Sequence, residues 1–430
     1  MVRRRADKAL EKSGFDQLVI FSGSERFKLF DDAPYPFFAN PQFKAWLPLT
    51  EHPDCFVIYR GGDKPKLIYF QPEGYWYAPP EPPGGYWAEH FDITVINEAA
   101  KALPLLPDSG RVALLGEFAD EKMRPANGEV NPGELVNYLD FHRAWKSAYE
   151  IECMRRANAI AARAHRAAEQ AFRSGASELE IHLAYCQSAG QPDNELPYSS
   201  IVALNEHGAV LHYQNWSSSR YANGALHSFL IDAGASFNGY AADVTRTYSA
   251  SDSGFSELIE RMDRAQKHLC ALLKPGVSYP DVHFAAHRAV AKILSEMGFV
   301  KIDPEASFDA GITRTFFPHG VGHYIGLQVH DVGGFMADED GALQAKPDGH
   351  PFLRLTRELD DGHVMTIEPG LYFIDSLLAS LAASEHAKHI DWDRVEAYRK
   401  FGGVRIEDDV AVTVNGSENL TRGALDKLAA

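Results

Sequence analysis

The chain has 430 residues, 45% of them apolar and 23% charged, which suits a globular protein with room for two domains that each bury a core. A formal net charge of −17 argues against nucleic acid and anionic membrane surfaces as partners. No apolar run approaches the ~20 residues of a spanning helix, and no apolar stretch follows the basic start Arg3-Arg4-Arg5, so a cytoplasmic location is expected.

Along the first third, strand-like runs such as Gln17-Leu-Val-Ile-Phe21, Cys55-Phe-Val-Ile-Tyr59, Lys66-Leu-Ile-Tyr-Phe70 and Arg111-Val-Ala-Leu-Leu115 alternate with loops and helical stretches, the pattern of an α/β domain. Its Pro-rich loop, residues 72–87, carries Tyr75, Trp76, Tyr77 and Tyr86 and reads either as a spacer or as a contact surface. Ser147-Ala-Tyr-Glu150 is a capping box, and the Ala-rich helix it opens should run to about residue 174 and stop at Gly175. This start separates an N-terminal domain, 1–146, from a C-terminal one, 147–430. A second capping box, Ser177-Glu-Leu-Glu180, opens a helix ending near Gly190, and strands are expected over 198–204 and beyond. Helices over about 255–273 and 280–297 then precede further strands. Two helix-helix-sheet halves suggest an internal pseudo-repeat and an α+β class, with helices covering an antiparallel sheet. Cys55, Cys153, Cys186 and Cys270 lie far apart and form no CxxC, as expected of reduced thiols.

The second domain carries an unusual set of polar residues on its strand-like runs. Asp232 and Asp243 flank a turn at Asn238-Gly239, so a β-hairpin would bring two carboxylates together across its ladder. Three His and three Gly occur between His319 and His330, which implies backbone passing close to something with imidazoles aimed at it. The glycines between His319 and His323 disfavour a helix, and with no HExxH a helical zinc protease is excluded. Glu368 interrupts an apolar run, and Glu407 shares a strand face with Arg405. Singly, each has a plain structural explanation: a turn Asp, a hydrogen-bonded core His, a surface ion pair. Together, four carboxylates and one imidazole in one buried place would need cations, so a dinuclear metal centre is expected. Oxygen-rich ligation with one imidazole favours Mn, Co, Zn or Fe over a thiolate-type zinc site.

The order Asp232-x10-Asp243, then HGxGHxxGxxxHD at residues 319–331, TIEPG at 366–370 and VRIED at 404–408 resembles the pita-bread metallopeptidases, and within them the bacterial prolidases. The resemblance extends to Asp31-Asp-Ala-Pro-Tyr-Pro-Phe-Phe and Asn40-Pro-Gln-Phe-Lys-Ala-Trp46 and so covers nearly the whole chain. It implies a pita-bread catalytic domain behind a creatinase-like N-terminal domain, and metal-dependent hydrolysis of Xaa-Pro dipeptides by a hydroxide shared between two divalent ions. Manganese is the implied metal, with cobalt or zinc as alternatives. Asp243 and Glu407 would bridge the ions, Asp232 would complete one set of ligands, and His323 and Glu368 the other. Glu368 is the candidate proton shuttle. By the same matching His212, His319 and His330 line the pocket, with His330 stabilising the oxyanion or leaving group. Tyr198 touches substrate, Arg354 holds the substrate carboxylate, and Arg405 orients Glu407. Arg354 could instead pair with Glu358 at (i, i+4), and neighbouring Arg357 is expected to be dispensable.

Three rivals share these motifs: an aminopeptidase P that removes the residue before proline from longer peptides, a non-catalytic peptide-binding module, and an organophosphate triesterase, the last as a side activity. The long segment between Glu368 and Glu407, with an insertion over 375–401, belongs with prolidases and is expected to shape or cover the pocket. The turn at Asp31-Asp32 and the aromatic loop point to a homodimer.

Overall fold

The computed structural model describes residues 1–430 apart from Tyr77, residues 119–127, Asn223 and Ala430. The chain forms two compact units, one of Met1–Arg143 with Ala337–Ala342, the other of Ala144–Met336 with Leu343–Ala430.

In the first unit, β1 (Gln17–Phe21), β2 (Phe56–Arg60), β3 (Lys66–Phe70), β4 (Asp92–Ile96), β5 (Val112–Leu115) and β6 (Gly128–Val130) make a mixed sheet in the order β4-β3-β2-β1-β5-β6. Helices α1 (Val2–Ser13), α2 (Pro41–Lys44) and α3 (Gly133–His142) accompany it. The central strand reads as one apolar run because both its faces are covered. Leu18 and Ile20 pack with Ala6, Leu10 and Leu135, whereas Val19 and Phe21 pack with Phe56 and Leu114 on the opposite face. Helix α1 ends at Gly14, whose φ of 69° is a conformation that a side chain would strain. The excursion Ala337–Ala342 joins this unit through Lys12, which reaches Glu339 at 2.7 Å and Asp340 at 2.6 Å, and through His142 at 2.7 Å from Glu339. A single boundary near residue 146 does not describe that crossing. In the aromatic loop, Tyr75 and Trp76 are 85% and 83% exposed, Trp87 is buried against Phe91, and Tyr77 lies outside the described residues.

The second unit opens with α4 (Ala148–Arg173) and α5 (Glu178–Ala189), both started by the expected capping boxes. Strands β7 (Ile201–Leu204), β8 (Ser228–Asp232), β9 (Ser236–Phe237), β10 (Tyr240–Ala241) and β11 (Thr245–Ser249) follow. Sheet β11-β8-β7 is antiparallel, and the β9–β10 ribbon turns at Asn238 and Gly239 with φ of 51° and 84°, positive at both positions as a tight hairpin requires. The pattern then recurs. Helices α6 (Gly254–Leu272), α7 (Tyr279–Glu296), α8 (Pro304–Asp309) and α9 (Thr313–Phe316) precede β12 (Val364–Ile367) and β13 (Gly370–Tyr372). After α10 (Asp375–Ala382) and α11 (Trp392–Arg399) come β14 (Gly403–Arg405), β15 (Asp408–Thr413), β16 (Gly416–Asn419) and α12 (Leu420–Ala429). Sheet β12-β15-β16 is again antiparallel, and β13 pairs with β14. The two halves are joined where Thr245 bridges Glu407.

Two of these features take part in packing. The insertion 375–401 contributes Leu378, Leu381, Ile390, Val395 and Tyr398 to the main core, and Tyr398 packs edge-on to Phe299, so its apolar side is a structural wall. Arg357 is buried beneath Trp145 and near Tyr324, its guanidinium 4.8 Å and 6.0 Å from the two rings, so its loss removes packing and is not neutral.

The capping box of α4 gives a direct test of this frame. Ser147 Oγ accepts from the Glu150 N–H at 3.3 Å, and the Glu150 carboxylate accepts from the Ser147 N–H at 2.8 Å. Ser147→Ala should destabilise the second unit by about 1 kcal/mol, read as a lowered urea midpoint. An unchanged midpoint would show that the box contributes nothing.

Candidate metal centre

The joined strands deliver acidic side chains to one place. Asp232 ends β8, Asp243 sits just before β11, and the register pairs Asp232 with Thr245. Glu407 lies between β14 and β15, where its N–H donates to the Thr245 carbonyl at 3.0 Å. Glu368 follows β12, with its N–H on the Val321 carbonyl at 2.8 Å, which brings the His-Gly segment alongside. One ligand atom each of Asp243, His323 and Glu407 can be chosen so that all lie within 4.8 Å of one another. His323 Nε2 is 3.5 Å from Asp243 and 3.9 Å from Glu368. Its Nδ1 is 3.0 Å from the Tyr324 carbonyl, which fixes the proton there and leaves the Nε2 lone pair facing the acids. Gly322 makes this approach possible: a Cβ there would meet the Thr366 carbonyl at 2.1 Å, and its φ is +152°.

Burial and crowding act on these acids together. Glu368 is pushed up to about 7, first by burial and then by the charges of Asp243 and Asp232, against the pull of His323 and Arg405. Burial likewise raises Glu407 well above the carboxylate range, with Asp243 and Glu368 adding to it, and Asp243 is raised by burial and by Asp232. Such a set holds its charges only beside cations. Arg405 provides one: its Nη2 donates to Asp232 at 2.7 Å, Nη1 to Tyr372 Oη at 2.8 Å and Nε to Thr245 Oγ1 at 3.1 Å. Thr245 Oγ1 in turn donates to Glu407 at 2.6 Å, so Arg405 reaches Glu407 through a hydroxyl and Asp232 directly.

The other expected residues fall into two groups. Around the acids, Tyr198 Oη lies 2.7 Å from Asp232 and 2.5 Å from Asp243; its single proton serves one at a time, and its contacts here are with these acids. His319 stands 3.6 Å from Glu368, with Nε2 2.8 Å from Tyr372 Oη. The His330 ring is 4.4 Å from that of His323 and edge-on to it. Farther out, the exposed His212 and Arg354 lie close enough for their charges to act on His330. Sequence reasoning missed Tyr372, which joins His319 to Arg405, and it missed Asp409. The latter accepts from the Asp243 N–H at 3.1 Å and from Asn158 at 2.7 Å. A signal was available in Glu407-Asp408-Asp409, three acids in a row on an apolar strand, which alternation must send to both faces.

The chain matches the model of metallopeptidase family M24 over residues 152–414 and that of the Xaa-Pro dipeptidase N-terminal domain over residues 1–141. It is 50% identical to an Xaa-Pro dipeptidase of Stenotrophomonas maltophilia (strain K279a) over 426 residues, 98% of this chain and 95% of that one. Against an Xaa-Pro dipeptidase of Xanthomonas campestris pv. campestris (strain B100) identity is 51% over 420 residues, 97% and 94% of the two chains. Among solved structures, proline aminopeptidase P II from Yersinia pestis superposes with a TM-score of 0.73 at 25% identity, covering 98% of this chain and 96% of that one. Aminopeptidase P from E. coli with the inhibitor Pro-Leu gives a TM-score of 0.73 at 25% identity, with 98% and 94% covered. With the catalytic fold, the buried acid cluster and near-complete coverage in agreement, the chain belongs to metallopeptidase family M24, among its pita-bread Xaa-Pro dipeptidases.

Proposed function

We propose that this hydrolase cleaves Xaa-Pro dipeptides with two divalent cations held by Asp232, Asp243, His323, Glu368 and Glu407. The observation that carries the reading is the gathering of Asp243, Glu368 and Glu407 about the imidazole of His323, with Asp232 joined to Asp243 through Tyr198, a donor set that fits hard to borderline cations and contains no thiolate. Manganese suits the oxygen-rich set, with cobalt and zinc next. When bound, such a pair lowers the pKa of a shared water and polarises the scissile carbonyl.

The protein's own residues do the rest. Arg405, Tyr198 and Thr245 hold Asp232, Asp243 and Glu407 in place through the contacts described above. Glu368 is positioned to take a proton from the attacking water and return it to the departing imide nitrogen. That nitrogen carries no hydrogen in an Xaa-Pro bond, so recognition must come from the groups around it. Arg354 is the candidate anchor for the proline carboxylate, and His330, His319 and His212 are the candidate pocket-lining residues.

Aminopeptidase P is the nearest alternative, since the solved relatives carry that name at 25% identity. The 50% identity to Xaa-Pro dipeptidases, which extends through the N-terminal unit, favours the dipeptide substrate. The purified enzyme should cleave Gly-Pro and leave Gly-Pro-Ala intact, lose activity to a chelator and regain it with Mn2+. Glu407→Ala should lose bound metal and turnover together. Preferred cleavage of Gly-Pro-Ala, or full activity without metal, would refute the reading.

Arg354→Ala should lower kcat/KM for Gly-Pro roughly 10- to 100-fold, mostly through KM, the size of a lost hydrogen bond to a charged group. A neutral amide analogue lacking the carboxylate should be almost unaffected. Equal losses on both would make Arg354 a structural residue.

A homodimer is also proposed. Its support is the run of exposed apolar side chains on the first unit, with Phe30 fully exposed and Leu29, Tyr75 and Trp76 each more than four-fifths exposed. Light scattering should give twice the chain mass of 47.7 kDa, and Trp76→Glu should shift it towards the monomer. A monomeric parent protein would end this part of the reading.

A further inference from the structure

Away from the acids, a second group of metal-ligating side chains gathers in the same unit. His283 and His287 stand four residues apart on α7, hence on one face of that helix, and His350 reaches them from the loop before Arg354. One nitrogen from each lies within 4.8 Å of the other two. His283 Nε2 and His350 Nδ1 are 2.8 Å apart, a hydrogen bond in which one ring nitrogen donates to the other and which a shared cation would replace.

The surroundings are aromatic. Phe317 lies 4.8 Å from the His287 ring and 6.0 Å from that of His283, and Phe284 lies 5.4 Å from His350. Among these rings His287 Nδ1 is engaged by Thr313 Oγ1 at 3.0 Å, while His287 Nε2 and His283 Nδ1 are buried with no hydrogen-bond partner. Both residues are 1% exposed. A buried polar atom without a partner costs about 1–3 kcal/mol, and a cation shared with His283 Nε2 and His350 Nδ1 would satisfy the one on His287. In the tautomer whose Nδ1 donates to Thr313, His287 carries a bare Nε2 lone pair, the arrangement by which an outer hydrogen bond orients a metal-ligating imidazole.

We propose that His283, His287 and His350 form a separate binding site for a divalent transition-metal ion of the zinc class. Three imidazoles without a carboxylate suit Zn2+ better than Mn2+, so this site and the acid-rich centre differ in metal preference. Burial lowers the pKa of all three imidazoles and so favours the neutral form that ligates. Arg314, whose charge bears on His287 and His350, opposes a cation here, and a hydroxide in the fourth position would lower the net charge it meets. A bound ion would tie α7 to the loop that leads, four residues on, to Arg354. It would lie behind Phe317, whose ring is 4.8 Å from that of His319.

The test is a metal count on the full-length protein equilibrated across a chelator-buffered series of free Zn2+, which does not depend on the proposed substrate. The wild type should bind one more Zn2+ per chain than His287→Ala or His350→Ala. Glu407→Ala should keep that ion, and X-ray absorption at the zinc edge should then show an imidazole-dominated shell. Circular dichroism checks folding; His350 is the least buried of the three, so His350→Ala decides alone if His287→Ala fails to fold. Equal zinc counts in wild type and His350→Ala at every free Zn2+ level, or a zinc shell in Glu407→Ala without imidazole scattering, would overturn the site.

Discussion

Repulsion among buried carboxylates is the constraint around which the catalytic unit is built. Two unit charges at the 4.8 Å that bounds Asp243 and Glu407 repel by roughly 3–4 kcal/mol at an effective dielectric of about 20. A single hydrogen bond contributes about 1 kcal/mol net, so no one donor can hold such a pair. The fold answers with several devices at once: the guanidinium of Arg405 on Asp232, the phenol of Tyr198 between two Asp side chains and Thr245 on Glu407. The remaining imbalance is the physical reason for cations at this point.

Adjacent acids on one strand show how sharply environment divides their roles. Glu407 lies beside Asp243 and His323, whereas Asp408 is neutralised by Arg246 at 2.6 Å and Arg422 at 2.7 Å, with Gln266 and Asn419 completing its partners. Its pKa is held below the ordinary value by those two arginines, which outweigh its burial. Asp409, one residue on, has a single neutral side-chain donor in Asn158 and is raised well above the range, first by burial and then by Asp243. Three consecutive carboxylates thus become a proposed ligand, a structural anchor and a support for the Asp243 backbone. Composition alone could not tell them apart.

The same strands explain why a pseudo-repeat is useful. Each half supplies a helix pair and an antiparallel sheet, and the edge where Thr245 meets Glu407 places acids of both halves side by side. Thr247 and Arg405 strengthen this seam, the hydroxyl donating to the Arg405 carbonyl at 2.9 Å and accepting its N–H at 3.1 Å. Strand ends therefore set the spacing of Asp232, Asp243, Glu368 and Glu407, while His323 comes from the glycine-rich segment beside them.

Local signals in the chain determined the helix starts at Ser147 and Ser177, the turn at Asn238-Gly239 and the continuous apolar strands of the first unit. These features depend on residues a few positions apart, and capping, positive φ and side-chain period are written at that range. Tertiary structure decided what depends on distant partners. It placed Arg405 on Asp232, turned Tyr198 onto two acids, buried Arg357 beneath Trp145 and packed the insertion at 375–401 into the core. It also gave the excursion Ala337–Ala342 to the first unit and brought His350 to His283 and His287. No periodicity records such contacts, because they arise only when segments far apart in the chain compete for the same buried space and the same few hydrogen-bond partners.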